Sequence, residues 1–336
     1  MPEKDRMVPG ELVLLVLVAL LFDFLNGFHD SSNVVSTMVV SGAMEPGPAL
    51  WLAALGEFAG PFLFGVAVAR TIGSEVVAAQ DVTVPAIVSA LLGAVLWNLF
   101  TWLLRLPSSS SHALVGGLVG AILGASGPGS IHLAGLGKVF LALLLAPLLG
   151  LGIGYLFLRV VRFLAAGATP RINRFFRLAQ VPASLALALS HGTNDGQKTM
   201  GIIAMGLVAA GHLSEFSVPL WVIALCAGTL ALGTLSGGLR IVRTLGTRIY
   251  RIRPIHGFSA QVVSTAVILG AALLGGPVST TQVVGSAIIG VGAAERLSKV
   301  RWTVFRNFLL TWLLTIPAAA LLAAAFRLAL RALGSP

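Results

Sequence analysis

Long apolar runs separated by short polar stretches fill the chain and divide it into two similar halves. Each half has five segments: one interrupted by a polar motif, a plain one, a third, a short one that begins with Pro and Ser or Thr, and a closing one. A helix of about 20 apolar residues is long enough to cross a bilayer. The pattern therefore predicts an all-α, polytopic membrane protein with about 10 apolar segments, or roughly 10–12 helices.

The two halves are predicted to be inverted repeats, at residues 11–163 and 181–330, joined by a basic hinge at 164–180. An odd number of segments per half reverses the orientation of the second half. The charges agree, because loop 70–83 has one basic residue and two acids, whereas its counterpart 240–256 has five arginines and no acid. Under the positive-inside rule the hinge and loop 240–256 are cytoplasmic and both termini lie outside.

The short runs that follow Pro107 and Pro277 are predicted to be re-entrant half-helices. They are below the roughly 20 residues that a span needs. Each would form a hairpin with the segment before it, and this leaves the sidedness of the later loops unchanged.

Composition excludes a soluble protein, since 57% of the residues are hydrophobic, only 10% are charged and the mean hydropathy is +0.95. The net charge of +10 is assigned to cytoplasmic loops and not to nucleic-acid binding. The first apolar run is interpreted as a membrane helix and not as a cleaved signal. The chain has neither zinc-ligand spacing nor a phosphate-cradling Walker loop, so we expect no cofactor and no ATP hydrolysis.

A polar motif occurs once in each half, as GFHDSSN at 27–33 and GTNDGQKT at 192–199. Aligning the two glycines places Asp30 on Asp195 and Asn33 on Lys198. Ionisable groups at membrane depth usually mark a substrate or ion path. The glycines are expected to break the two helices and turn backbone groups toward a cavity. Two such breaks predict a transporter's binding site.

The carboxylates and amides of these motifs are candidate ligands for a hard cation such as Na⁺, or a proton site. The candidate cation-coupling residues are Asp30, Asn33, Asn194, Asp195, Asp23 and Glu57, with Na⁺ at the first four. For Glu57 the capping of a neighbouring helix is an equal alternative. Lys198 would neutralise a carboxylate or meet an anion. The alternative is a structural network that holds the two helices. Three histidines adjoin the motifs, and they are interpreted as neutral hydrogen-bonding groups, with proton carriers as the alternative: His29, His112 and His191.

Two clusters of hydroxyl residues are candidate anion sites because each follows a proline at a predicted helix start. A helix N-terminus offers free N–H groups and a positive dipole end. The predicted phosphate ligands are Ser109, Ser110, Ser111, Ser279, Thr280, Thr281 and Lys198. The alternative is that these residues are ordinary helix caps.

At these residues the sequence resembles the inorganic phosphate transporter (PiT) family, bacterial low-affinity permeases included. The resemblance rests on DFLNGFHDSSN at 23–33, SHGTNDGQKT at 190–199, GTLSGGLRIVRTLG at 233–246, GFSAQ at 257–261 and PVSTT at 277–281. It implies a secondary symporter for phosphate driven by Na⁺ or H⁺, with the Asp and Asn pairs handling the cation and the Ser/Thr helix starts holding the anion. His29 replaces the family's usual Asn, and Gln282 stands where the family often has His.

The resemblance implies no enzyme and no cofactor beyond the coupling ion. Phosphate, the cation and the lipid bilayer are the expected partners, in the inner (plasma) membrane, with a homodimer left open. A sulfate symporter on the same scaffold is the nearest alternative, and a passive anion channel is a second one. An intramembrane hydrolase using Asp30, Asp195 and His29 is disfavoured, because the polar groups are duplicated symmetrically instead of forming one catalytic centre.

Overall fold

A computed structural model describes residues 9–77, 82–104, 106, 108–237 and 252–333, and these are almost entirely helical. The helices in the described ranges are α1 (Pro9–Val40), α2 (Pro46–Phe64), α3 (Ala67–Arg70), α4 (Val84–Leu103), α5 (Ser110–Ala125), α6 (Leu133–Leu164), α7 (Ile172–Ala209), α8 (Leu220–Ser236), α9 (Pro254–Leu273), α10 (Thr280–Glu295) and α11 (Trp302–Ala332). Six of them, α1, α2, α4, α6, α9 and α11, are long and apolar enough to cross a membrane. The predicted polytopic, all-α membrane fold is confirmed.

The helices of the two halves pack on each other in an exchanged pattern. Helix α1 lies against α8, and α2 lies against α7. In the same way α5 lies against α11, and α10 lies against α6. Helices α1 and α7 both lie inside this bundle, and their motifs meet in a common buried centre.

The prediction that the motif glycines break their helices is wrong, because α1 runs unbroken through Gly27 and α7 through Gly192. Both glycines allow close helix packing instead. A Cβ on Gly27 would lie 2.1 Å from the carbonyl oxygen of Leu230 in α8, and one on Gly192 would lie 2.1 Å from that of Glu57 in α2. Small residues let membrane helices approach to backbone contact, so here the glycine motif brings two helices together.

The helical breaks lie instead at the hydroxyl clusters, before α5 and before α10. Each of these helices has 16 residues and begins in the buried centre, at Ser110 and at Thr280. The chain returns to its starting end after each one. His132, after α5, donates its N–H to the carbonyl of Val76, before α4, at 3.0 Å. Glu295, the last residue of α10, lies 3.3 Å from His256 in the first turn of α9. Helices α4 and α5, and likewise α9 and α10, therefore form hairpins that begin and end at the same end of the bundle, and their re-entrance into the membrane stays a prediction.

Several boundaries differ from the predicted ones. The second apolar run of the sequence, residues 50–69, is divided, because Gly65 has φ of 81° and ends α2 at Phe64. The connection between the halves is shorter than the basic hinge predicted at 164–180, because α6 ends at Leu164 and α7 already begins at Ile172. Loop 240–256 lies largely outside the described residues, so its predicted sidedness stays a prediction.

Candidate functional site

The two motifs meet at the start of α10. The Thr280 hydroxyl lies 3.2 Å from Oδ2 of Asp30 and 3.0 Å from Oδ2 of Asp195, as donor to either. Thr281 donates to Oδ1 of Asp30 at 3.0 Å. Both carboxylates are fully buried. A buried carboxylate needs donors or a counter-charge, and one helix start supplies donors to carboxylates from both halves of the chain.

Equivalent residues of the two motifs contact equivalent residues of the two helix starts. Asn33 donates from Nδ2 to the Thr281 hydroxyl at 2.9 Å. Its counterpart Lys198 donates from Nζ to the Ser111 hydroxyl at 2.6 Å. Thr281 and Ser111 each lie two residues after the N-cap of their helix. The alignment of motifs made from the sequence therefore has a spatial counterpart.

Lys198 is buried among acceptors. Its Nζ also donates to the carbonyl of Val278 at 2.7 Å and to Oδ1 of Asp195. Ser111 donates to the same Val278 carbonyl at 2.9 Å. The lysine thus neutralises Asp195, as the sequence allowed, and it ties α7 to both helix starts.

His191 lies at the centre of the carboxylate group, a role that the sequence reading missed. Its Nδ1 is 2.9 Å from Oε1 of Glu57, and its Nε2 is 3.1 Å from Oδ2 of Asp195 and 3.9 Å from Oδ2 of Asp30. The sequence alone favours a neutral hydrogen-bonding histidine at this position over a proton carrier. The signal available in the sequence was its position directly before Gly192, at the start of the second motif.

Glu57 and Thr234 form a second symmetric contact. Gly56-Glu57-Phe-Ala-Gly60 in α2 and Gly233-Thr234-Leu-Ser-Gly237 in α8 share their glycine spacing. The Thr234 hydroxyl donates to Oε2 of Glu57 at 2.5 Å. Glu57 therefore faces the buried centre, which fits its predicted place near the cation-coupling group.

One hydroxyl residue of each cluster is the N-cap of the helix that follows. Ser109 caps α5 by accepting from the N–H of His112 at 3.1 Å, and Ser279 caps α10 by accepting from the N–H of Gln282 at 3.4 Å. The side chains of His112 and Gln282 lie 3.4 Å apart. The two helix N-termini therefore face each other across the bundle. Positive dipole ends that converge in this way favour an anion between them.

Ser110 differs from its counterpart Thr280. Both are the first residue of their helix, but the Ser110 hydroxyl has no hydrogen-bond partner among the described residues and is buried. Buried hydroxyls nearly always have a partner. An unpartnered donor at a helix N-terminus is therefore a candidate contact for a bound anion.

Two predicted cation ligands lie apart from this centre. The Asn194 amide accepts from the N–H of Val278 at 3.2 Å and donates to the carbonyl of Gly276 at 3.1 Å, so it holds the extended segment before α10. Asp23 accepts from the Thr199 hydroxyl at 2.9 Å, two turns before Asp30. Their assignment to the cation stays a prediction.

The centre has the geometry to hold a small cation. Asp30, His191 and Asp195 each offer one ligand atom, and these atoms lie within 4.8 Å of one another. The hydroxyls of Thr280 and Thr281 add oxygen atoms of the kind that hard cations prefer. A helical membrane bundle with paired carboxylates and two facing helix starts at its buried centre is a transporter by architecture.

Comparison with known proteins identifies the family. The model of the phosphate transporter family, PHO4, matches residues 26–170 and 165–323. The chain is 45% identical over 315 residues to a probable low-affinity inorganic phosphate transporter of Rhizobium meliloti, covering 93% of this chain and 94% of that protein. It is 40% identical over 316 residues to the protein of the same description in Bacillus subtilis, covering 93% and 95%. The chain therefore belongs to the phosphate transporter family, a family of transporters and not of enzymes.

A solved structure described as the sodium-dependent phosphate transporter has the same fold. It superposes with a TM-score of 0.87 and 24% sequence identity, covering 96% of this chain and 99% of that one. At 24% sequence identity this similarity shows a shared fold and nothing further.

Proposed function

We propose that this protein takes up inorganic phosphate by secondary active transport, in symport with Na⁺ or H⁺, in the inner membrane of the cell. Family membership and the description shared by its relatives support phosphate as the substrate. The observation that carries the proposal is the bridge from Thr280 to Asp30 and Asp195, since it joins both motifs to a helix start. The sulfate and channel alternatives have no such support.

The supply of protons around the two carboxylates supports a role for a coupling cation. A hydroxyl has a single proton, so Thr280 can donate to only one of Asp30 and Asp195 at a time. Lys198 and His191 lie nearer to Asp195 than to Asp30. A bound Na⁺ or H⁺ would add a positive charge beside Asp30, whose neighbours are the hydroxyls of Thr280 and Thr281 and the imidazole of His29. It would also offset the negative charge of an incoming phosphate, and this gives a physical reason for coupling.

Alternating access would use the two halves, residues 11–163 and 181–330, as inverted repeats. The exchanged packing of α1 on α8 and of α2 on α7 supports this, as do the two hairpins that begin at equivalent places. A homodimer remains a prediction.

The experiment that tests the proposal is phosphate uptake into proteoliposomes under four conditions: an inward Na⁺ gradient, an inward H⁺ gradient, both, and neither. We expect accumulation above the external concentration with at least one gradient. The gradient that suffices identifies the coupling ion. Equilibration without accumulation in all four conditions would contradict symport and favour a channel, and sulfate accumulation without phosphate accumulation would contradict the substrate.

Phosphate is proposed to bind between the starts of α5 and α10, at the clusters 109–111 and 279–281. Removing the unpartnered hydroxyl with Ser110→Ala should cost about 1 to 3 kcal/mol of phosphate binding, or roughly 5- to 150-fold in affinity. Saturation of uptake with phosphate measures the change. Ser126→Ala, at the exposed end of the same helix, should leave the affinity unchanged. Equal affinities in the two variants would move the anion away from this site.

Sidedness can be tested with cysteines at opposite ends of the bundle. In a background with Cys226 replaced, Ala168→Cys in the exposed connection between α6 and α7 should resist an impermeant thiol reagent in intact cells. Ser74→Cys, in the exposed turn after α3, should react promptly. The reason is the charge bias of the two segments under the positive-inside rule. The reverse labelling pattern would contradict the cytoplasmic hinge.

A further inference from the structure

Two buried side chains, His112 of α5 and Gln282 of α10, connect the two helix starts. Each is the third residue of its helix, so the two positions are equivalent in the two halves of the chain. The amide nitrogen of Gln282 lies 3.4 Å from Nε2 of His112. On the other side of the ring, Nδ1 lies 2.7 Å from the hydroxyl oxygen of Ser109, the N-cap of α5.

The amide of Gln282 determines which ring nitrogen of His112 carries the proton. An amide NH₂ group only donates, so the ring nitrogen that faces it has to accept. A proton on Nε2 would point at the amide protons, and this excludes both the imidazolium and the Nε2–H tautomer. The single proton of the neutral ring therefore lies on Nδ1, because the hydrogen bond at one ring nitrogen sets the state of the other.

The Nδ1 proton of His112 in turn directs the hydroxyl of Ser109. A hydroxyl oxygen has two acceptor lone pairs and one proton to donate. The Ser109 oxygen accepts from the backbone N–H of His112 at 3.1 Å, and the Nδ1 proton takes the second lone pair. The hydroxyl proton must then point away from the ring. The structure records no other polar contact of this hydroxyl among the described residues.

The hydroxyl protons at the two helix starts differ in what they meet. Thr280 and Thr281 donate to carboxylates, and Ser111 donates to a backbone carbonyl. The buried hydroxyl of Ser110 has no partner among the described residues. Buried hydroxyls nearly always have one. Ser109 and Ser110, which are adjacent in the chain, therefore offer two hydroxyl protons to a bound group.

We propose that His112, held in the Nδ1–H tautomer by Gln282, is a positioning residue that makes the Ser109 hydroxyl a dedicated donor to phosphate. This inference rests on the phosphate site proposed above between the starts of α5 and α10. Ser109 and Ser110 donate to the anion together, whereas Gln282 and His112 act through Ser109. A side chain from the second half of the chain thereby sets a donor in the first half.

The first measurement reads the tautomer. Solid-state NMR of the full-length protein in lipid, with histidine that carries ¹⁵N at Nδ1 only, distinguishes a protonated from a bare nitrogen. The signal of His112 is the one that disappears in His112→Asn. We expect a protonated Nδ1 in the wild type. Gln282→Met keeps a similar volume but has no donor, so the proton can move to Nε2 and the signal of a bare Nδ1 should appear.

The second measurement is the affinity of the purified protein for radiolabelled phosphate. Ser109→Ala should bind phosphate about tenfold more weakly, because one donor is lost. Gln282→Met should bind it about fivefold more weakly, because Ser109 can then donate to Nδ1 instead. In a Ser109→Ala background, Gln282→Met should cause no further loss, since its effect passes through Ser109.

Two variants away from the helix starts are matched controls. Gln180→Met removes another buried amide, which accepts from the hydroxyl of Ser41 at 2.9 Å. Thr83→Ala removes another N-cap, which accepts from the N–H of Ala86 at the start of α4. Both should keep the phosphate affinity of the wild type. A loss in either one that equals the loss in its counterpart would assign the effect to general destabilisation and overturn the inference.

The outcomes separate this inference from the transport proposal. A bare Nδ1 in the wild type would overturn the tautomer, and this measurement needs no variant that alters the site. An equal loss of affinity on Gln282→Met with and without the Ser109 hydroxyl would overturn the action through Ser109. Wild-type protein that binds no phosphate would overturn the proposed substrate, and the role of His112 toward it would fall as well.

Discussion

Replacing Asp195 or Asp30 with asparagine is expected to abolish accumulation of phosphate against a gradient while leaving a folded protein. Asparagine keeps the shape and one acceptor oxygen, so the Thr280 hydroxyl keeps a partner in either variant. The negative charge that would hold the coupling cation is lost, and in Asp195→Asn the buried Lys198 also loses its counter-charge. Uptake of radiolabelled phosphate into proteoliposomes under both imposed gradients measures the effect.

Glu75→Gln is the matched control, because it makes the same carboxylate-to-amide change at an exposed pair with Lys138, 3.0 Å away. Exposed ion pairs contribute about 0 to 1 kcal/mol, so this variant should accumulate phosphate normally. A single elution peak in size-exclusion chromatography confirms that each variant is folded. Accumulation at the wild-type level in either Asp30→Asn or Asp195→Asn would remove that carboxylate from the coupling mechanism.

Gly192→Ala is expected to have the second large effect, on stability. Its new Cβ would lie 2.1 Å from the Glu57 carbonyl oxygen, which is backbone and cannot rotate away. Helices α2 and α7 would have to separate, and this would move Glu57 away from His191. Overpacking of this kind costs about 1 to 3 kcal/mol. The apparent Tm in detergent should fall, and uptake should fall with it.

Gly196→Ala, one turn later in the same helix, tests whether close packing explains the effect of Gly192→Ala. A Cβ there meets its nearest neighbours at 3.5 to 3.8 Å, which is ordinary contact. Alanine also favours a helix over glycine by about 1 kcal/mol. This variant should keep or raise the apparent Tm. Similar losses in both variants would show that the motif needs glycine for a reason other than close packing.

The sequence predicted the membrane fold and most segment positions because these depend on local composition. The last apolar run of the first half covers residues 133–163 of the sequence, and α6 spans Leu133–Leu164. The two short helices, α5 and α10, were predicted from the length of their apolar runs and from the Pro-Ser or Pro-Val-Ser-Thr sequences that precede them. The duplicated motif likewise indicated that Asp30 and Asp195 belong together, and the Thr280 hydroxyl contacts both.

The role of the motif glycines was not accessible from the sequence. Glycine permits both a helix break and a backbone contact between helices, and the residues around Gly27 and Gly192 are the same in either case. The contact partners, Leu230 and Glu57, each lie in the opposite half of the chain, more than 100 positions away. The sequence analysis predicts a helix break at these glycines. The packing of α1 on α8 and of α2 on α7 shows that they serve backbone contact between helices instead.

By itself the sequence determined a helical membrane protein of two similar halves, each with a carboxylate motif and a hydroxyl-rich helix start, since hydropathy, spacing and duplication are properties of the chain. Only the tertiary structure decided which of these groups meet. It places His191 among Glu57, Asp30 and Asp195. It also shows that the Asn194 side chain hydrogen-bonds to the backbone before α10. The physical reason is that these contacts join helices distant in the chain, and helix packing alone fixes their distances.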